Sequence, residues 1–273
     1  MTERQEMIVK FRHCGRSFLT AAIPVLERQR DQANIDLYQP EADEVLGGLF
    51  SRVFRYCQTF LLDYHLWAAD LGQVVLRMML ESVFYMRFLS NHNEHEMYVA
   101  FQRYGIGQEK LYKLQIRKMI DEGSIEETPY LKEFVETDSD EEIPDELINV
   151  TLKNFMDIRK VAEDAGMRQD YVLQYQPESV ITHGHWPALR QFHLEQCNET
   201  LHRLHYQPFF GLPILDEDLR LRALYLFESA YQIWRGRYNL EDGLGPLVEE
   251  YLKCCNAEPT SDEPSRSEPG SVE

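Results

Sequence analysis

The sequence predicts an all-α protein, a multi-helix bundle followed by a disordered acidic C-terminal tail. Apolar residues recur at three- and four-residue spacing along most of the chain, and the breaks between periodic segments fall at Pro, Gly and acidic clusters. No segment alternates apolar and polar residues convincingly, as a half-buried strand would.

The elements follow in order. Residues 4–30 place Met7, Ile8, Phe11, Phe18 and Leu19 at helical spacing, with Pro24 marking a kink or a break. Residues 41–66 open a second helix behind Pro40, with acids at its positive end. Residues 70–91 are apolar nearly all round and belong at the centre of a bundle. Residues 94–121 are more amphipathic, with an interruption or a bend expected near Gly105-Ile106-Gly107. The second half of that helix carries Lys110, Lys113, Arg117 and Lys118, either a solvated face or a stripe facing nucleic acid.

The segment VETDSDEEIPDE at 135–146 lacks periodicity and reads as a loop. A helix over about 145–165 ends at Gly166, and 168–182 is helical with a break around Pro177. Residues 187–206 form a histidine-bearing helix, started by Pro187 and ended by Pro208, Gly211 and Pro213. Another helix follows Asp216, and a last one covers about 245–255. The reading is one helical domain over 1–255 and a Pro/Ser/Glu-rich tail over 256–273.

A chain of 273 residues, 44% of them hydrophobic, can bury a core without disulfides. The five cysteines, Cys14, Cys57, Cys197, Cys254 and Cys255, show no framework spacing, and the adjacent Cys254 and Cys255 are read as two reduced thiols. No apolar run is long enough to span a membrane, and the charged N-terminus has no signal-peptide core, so a cytoplasmic location is expected. The net charge of −18 is unevenly placed. Residues 121–146 hold twelve acids and one lysine, and 256–273 hold five acids and one arginine, so the remaining body is close to neutral. That distribution leaves room for a basic groove elsewhere.

Three constellations could carry chemistry. Arg77 and Glu81 are four apart on the central helix and share one face amid apolar neighbours. Such a pair is either a buried clamp between helices or part of a site. The run from 183 to 205 holds His183, His185, His193, His202 and His205. Glu199 and His202 have the spacing of a di-iron half-site, but no second Glu-x-x-His exists on another helix, so no metal and no cofactor are expected. Arg87 and His92 match a loose Arg-x(4–6)-His pattern of HEPN-class ribonucleases, with Phe88 where a polar residue usually follows the arginine. P-loop, dinucleotide-binding, nucleophile-elbow and zincin signatures are missing.

These segments together resemble a family of mostly bacterial helical proteins known only as a domain of unknown function. The resemblance rests on Arg77 and Glu81, on Ser179, His183 and Gly184, and on Cys197, Leu201, His202, Arg203, His205 and Pro208, and spans about 45–208. The chain departs from it at Glu199-Thr200, where the family tends to have Asn-Pro, and at Tyr206, where a basic residue is expected. The resemblance implies an all-α fold and no particular reaction.

Two functional readings follow. In the first, Arg77 and Glu81 meet His183, His202, Arg203 and His205 in a pocket that cleaves RNA without a metal, as a toxin-like or antiphage effector. In the second, the same residues form a buried network in a non-enzymatic interaction or sensor domain. RNA or a protein partner is expected accordingly, with homo-oligomerisation compatible with either.

Overall fold

The structure, a computed structural model, describes residues 2–137, 157–199 and 205–257. The first helix, α1, runs from Glu3 to Gln32. Thr2 and Gln5 cap each other reciprocally at its start, satisfying two amides that the helix itself leaves open. Of the kink or break expected at Pro24, the break is absent. Pro24 lies on the exposed side of an unbroken helix, and buried Ala22 and Leu26 hold the backbone around the missing hydrogen bond.

Helix α2 (Glu41–Leu62) follows Pro40, and a 3₁₀ turn over Tyr64–Trp67 leads to α3 (Leu71–His92). Trp67 is buried in that turn and donates from its indole nitrogen to the Phe60 carbonyl at 2.8 Å. Gly72 opens the way for this packing, because a Cβ there would strike the Leu66 carbonyl oxygen and the Leu219 side chain. Asn93, in the left-handed region at φ 48°, turns the chain from α3 into α4 (His95–Asp121). Helix α4 continues through Gly105 and Gly107, so the chain is not interrupted there.

Helix α5 (Pro129–Glu136) precedes α6 (Ile158–Asp164). The acidic segment predicted at 135–146 and the start of the helix predicted at 145 lie mostly outside the described residues. From Arg168 the chain stays helical, but Tyr171–Tyr175 is wound as a π-helix before α7 (Gln176–Thr182). Pro177 directly follows the π-helical turn, inside a helical run continuous from Arg168. Gly184, at φ 60°, ends α7, with its amide and that of His185 closing back onto the Ile181 and Val180 carbonyls.

The histidine-bearing helix predicted over 187–206 is corrected. Helix α8 covers only Trp186–Phe192, and the chain then forms β1 (Leu194–Gln196), paired antiparallel with β2 (Tyr206–Pro208). The register pairs Leu194 with Pro208, Glu195 with Gln207 and Gln196 with Tyr206. Leu194, Cys197, Leu201 and Leu204 are spaced as in a helix. The backbone amides are instead taken up across the ladder: Cys197 donates to the His205 carbonyl, and Phe209 donates to that of His193. Long-range pairing overrides local periodicity here.

Helices α9 (Leu219–Arg237) and α10 (Gly245–Asn256) complete the described chain, and residues 258–273 of the predicted tail lie outside it. Helices α2, α3 and α9 pack against one another at the centre, with α1 and α10 on one side and α4 on another. One continuous apolar cluster joins Leu46, Phe60, Leu76, Phe84 and Phe227. Phe50 stacks on Trp234 within it, ring centroids 4.9 Å apart. A disulfide links Cys14 on α1 to Cys254 on α10, which corrects the reading of Cys254 as a reduced thiol; Cys57, Cys197 and Cys255 remain free and buried.

Candidate functional site

Arg77 and Glu81 lie on the side of α3 that α7 packs against. The residue that joins them is Tyr175, the last of the π-helical turn. The Arg77 guanidinium donates to the Tyr175 hydroxyl at 2.6 Å and lies 4.7 Å from that ring's centroid. The same hydroxyl donates to a Glu81 carboxylate oxygen at 3.3 Å. Arg77 and Glu81 themselves approach only to 3.9 Å, so the phenol mediates their pairing. A π turn inserts one residue into the helix, and such turns recur at functional positions. Here it stacks Tyr171 on Tyr175 at 5.3 Å.

One turn further on, Glu178 is 1% exposed and is paired with Arg222 of α9. Its other oxygen, Oε2, is buried without a hydrogen bond, as is Nε of Arg77. Burial pushes the Glu178 carboxyl up to about 7, against the opposing pull of the Arg222 and Arg77 charges. Burial and the Glu81 charge likewise raise the Tyr175 phenol, to about 12, so it stays a neutral donor. The assembly is a chain of five side chains from α3, α7 with its π-helical lead-in, and α9. It is sealed at Tyr175 and Glu178 and half-open at Glu81 and Arg222.

Tyr175, Glu178 and Arg222 were not singled out by the sequence. A signal was available for two of them: Tyr175 and Glu178 are three apart, a one-face spacing akin to the four-residue spacing of Arg77 and Glu81. Arg222 comes from a helix remote in sequence, and only tertiary packing brings it in.

The histidines take up a different place. His183 caps the C-terminal end of α7, is exposed, and has its ring 5.9 Å from that of His185. No hydrogen bond or ion pair joins the His183 ring to Arg77 or Glu81 among the described residues. His193 reaches Asp70 at 3.7 Å, and His205 is exposed where the chain enters β2. His202 and Arg203, with Leu201, lie outside the described residues. Arg87 and His92 are exposed on α3, and the His92 ring is held by the Phe88 carbonyl at 2.9 Å. Of the predicted set, the structure brings together Arg77 and Glu81.

A second surface adjoins the hairpin. The Ala69 amide donates to the Ile214 carbonyl and the Asp216 amide to that of Trp67, which moors the segment after β2 to the entry of α3. Between them lies a cleft of about 210 Å³, lined by Ala69, Asp70, Phe192, Leu194, Phe209 and Ile214 among others. Beside it Phe210 is 93% exposed, Leu212 89% and Ile214 65%. No helix among the described residues is long and apolar enough to cross a membrane.

Residues 43–200 match the family of unknown function designated DUF5677. Searches of curated proteins and of solved structures returned no match.

Proposed function

The chain belongs to the DUF5677 family of unknown function, which brings no reaction with it, and we propose that the protein is a non-enzymatic helical interaction domain. The observation that carries this reading is the exposed apolar surface of Phe210, Leu212 and Ile214 beside the cleft. Apolar side chains exposed together mark sites of association. Asp70 and Glu195 border the cleft, and carboxylates repel the phosphate backbone that any RNA must present. The partner that fits is a protein segment with an aromatic or aliphatic anchor flanked by a Lys or Arg. In this reading the Arg77–Tyr175–Glu81 and Glu178–Arg222 contacts are the polar lock that registers α7 against α3 and α9.

A peptide array probed with the labelled full chain tests it. Bound peptides are expected to combine an apolar anchor with a cation, and Phe210→Asp with Leu212→Asp should abolish binding at an unchanged melting temperature. Peptide selection without that combination rejects the reading.

A second reading has one observation in its favour: the half-open Glu81 carboxylate and Arg222 guanidinium of the same network reach solvent, and a carboxylate with an arginine suits acid–base work on a phosphodiester. It is the metal-independent ribonuclease of a toxin or antiphage effector. RNA cleavage by the pure protein, lost in Glu81→Gln without loss of folding, would establish it. RNA left intact after prolonged incubation removes it.

A further inference from the structure

The cleft beside the hairpin and the side chains next to it do not fill one another. The cleft wall includes Leu194, Phe209, Pro213 and Ile214, while Phe210 and Leu212 of the same segment stand outside it and are almost wholly exposed. The Phe209 ring lies across Gly211, where a Cβ would strike it, and the Phe209 amide donates to the His193 carbonyl. One molecule thus carries an apolar cleft and, beside it, an apolar anchor that the cleft does not hold.

The exposed apolar surface extends beyond this segment. On α8, Trp186 and Arg190 are four apart and share a face. The Arg190 guanidinium lies 5.7 Å from the centroid of the Tyr206 ring, which joins that face to β2. Trp186, Tyr206, Phe209, Phe210, Leu212 and Ile214 form a band from α8 through β2 to the segment that follows it. At roughly 150–250 Å² for a whole aromatic side chain and somewhat less for an aliphatic one, their exposed parts come to on the order of 800 Å². That exceeds the roughly 300–600 Å² of the largest patch on a typical monomer and equals one partner's share of a standard-sized interface.

Both signs of charge sit in this band. Arg190 is exposed, and among the described residues it forms no ion pair. Glu195 is exposed as well; its carboxylate accepts from the Gln207 side-chain amide at 3.0 Å and meets no cation among the described residues. The excess acid of the chain lies elsewhere in the sequence, over 121–146 and 256–273. A surface holding one unpaired charge of each sign can complement a copy of itself.

We infer that the occupant of this surface is a second copy of the chain, in an isologous two-fold dimer; the inference rests on the docking reading above and names its partner. The chain itself supplies what that partner requires, an apolar anchor with a cation nearby. A two-fold axis makes every contact twice. Phe210 of each copy enters the cleft of the other, and Arg190 of each faces Glu195 of the other. One exchange fills both clefts, covers both anchors and pairs all four charges.

Sedimentation velocity of the full chain across the micromolar range tests the inference, with circular dichroism as the check on folding. A monomer–dimer equilibrium is expected, and Phe210→Asp, at a fully exposed position, should leave monomer alone. Arg190→Glu and Glu195→Arg should each weaken dimerisation about tenfold or more, because each sets like charges against each other. The double variant Arg190→Glu with Glu195→Arg restores both pairs and should recover the dimer. A dimer that survives Phe210→Asp, indifference to Arg190→Glu, or no recovery in the double variant overturns the inference. Monomer at every concentration, with array peptides still bound through Phe210, overturns it and leaves the docking reading standing with an outside protein as partner. Monomer at every concentration with no peptide bound removes both.

Discussion

Replacing Glu178 by Gln should make the protein more stable at pH 8 and leave it nearly unchanged at pH 5. The carboxyl is raised from an ordinary 4.5 to about 7, first because burial penalises its charge. Its folded form therefore holds a proton more tightly than its unfolded form does. Stability from this group is fully present below about pH 4.5 and is lost as pH rises through about 7. At about 1.4 kcal/mol per tenfold change in proton affinity, the loss is about 3 kcal/mol by pH 8. Glutamine mimics the protonated acid, accepts from Arg222 and carries no charge to desolvate. Urea denaturation of both proteins at pH 5, 6, 7 and 8 gives the comparison. The wild-type midpoint should fall between pH 5 and 8, and the glutamine variant should show a flatter profile. A variant less stable than wild type at pH 8 would refute the reasoning, because the Arg222 pair would then outweigh the burial cost.

Two further outcomes follow from the packing. Cys14→Ser removes a crosslink spanning 240 residues, and chain-entropy arguments put the loss at about 5.5 kcal/mol at most; thermal melts with and without reductant should differ for wild type and coincide for the variant. Gly72→Ala should destabilise by about 1–3 kcal/mol, since the new methyl meets the Leu66 carbonyl and the Leu219 side chain, and chemical denaturation measures it.

The helices were legible because their signal is local. Leu76, Met79, Leu80 and Val83 repeat at helical spacing in α3, and that face became the buried centre of the bundle. Arg77 and Glu81 stood out for the same reason, as charges within an apolar repeat. What was not legible depends on distant partners. Leu194, Cys197, Leu201 and Leu204 have helical spacing, yet the strand partner at 206–208 decides the conformation of 194–196. The adjacent Cys254 and Cys255 give no hint that one of them meets Cys14 and the other faces Arg220. Arg222 and Arg237 look like ordinary charges on α9 until the fold sets them beside Glu178 and Asp43. Pro24 and Gly105 misled in the opposite direction, since a helix supported by packing on both sides of a weak residue does not need to break there.

The Cys14–Cys254 bond also decides how the molecule carries force. Tension applied to the two chain ends runs along residues 1–14, across the sulfur bridge and out through 254–273. The bundle between them lies outside that load path while the bridge is oxidised. Once it is reduced, the same pull peels α1 and α10 away from each other first, because these two helices pack together. The thiol state of one pair of residues thus sets whether the protein behaves under strain as a closed loop or as an open string.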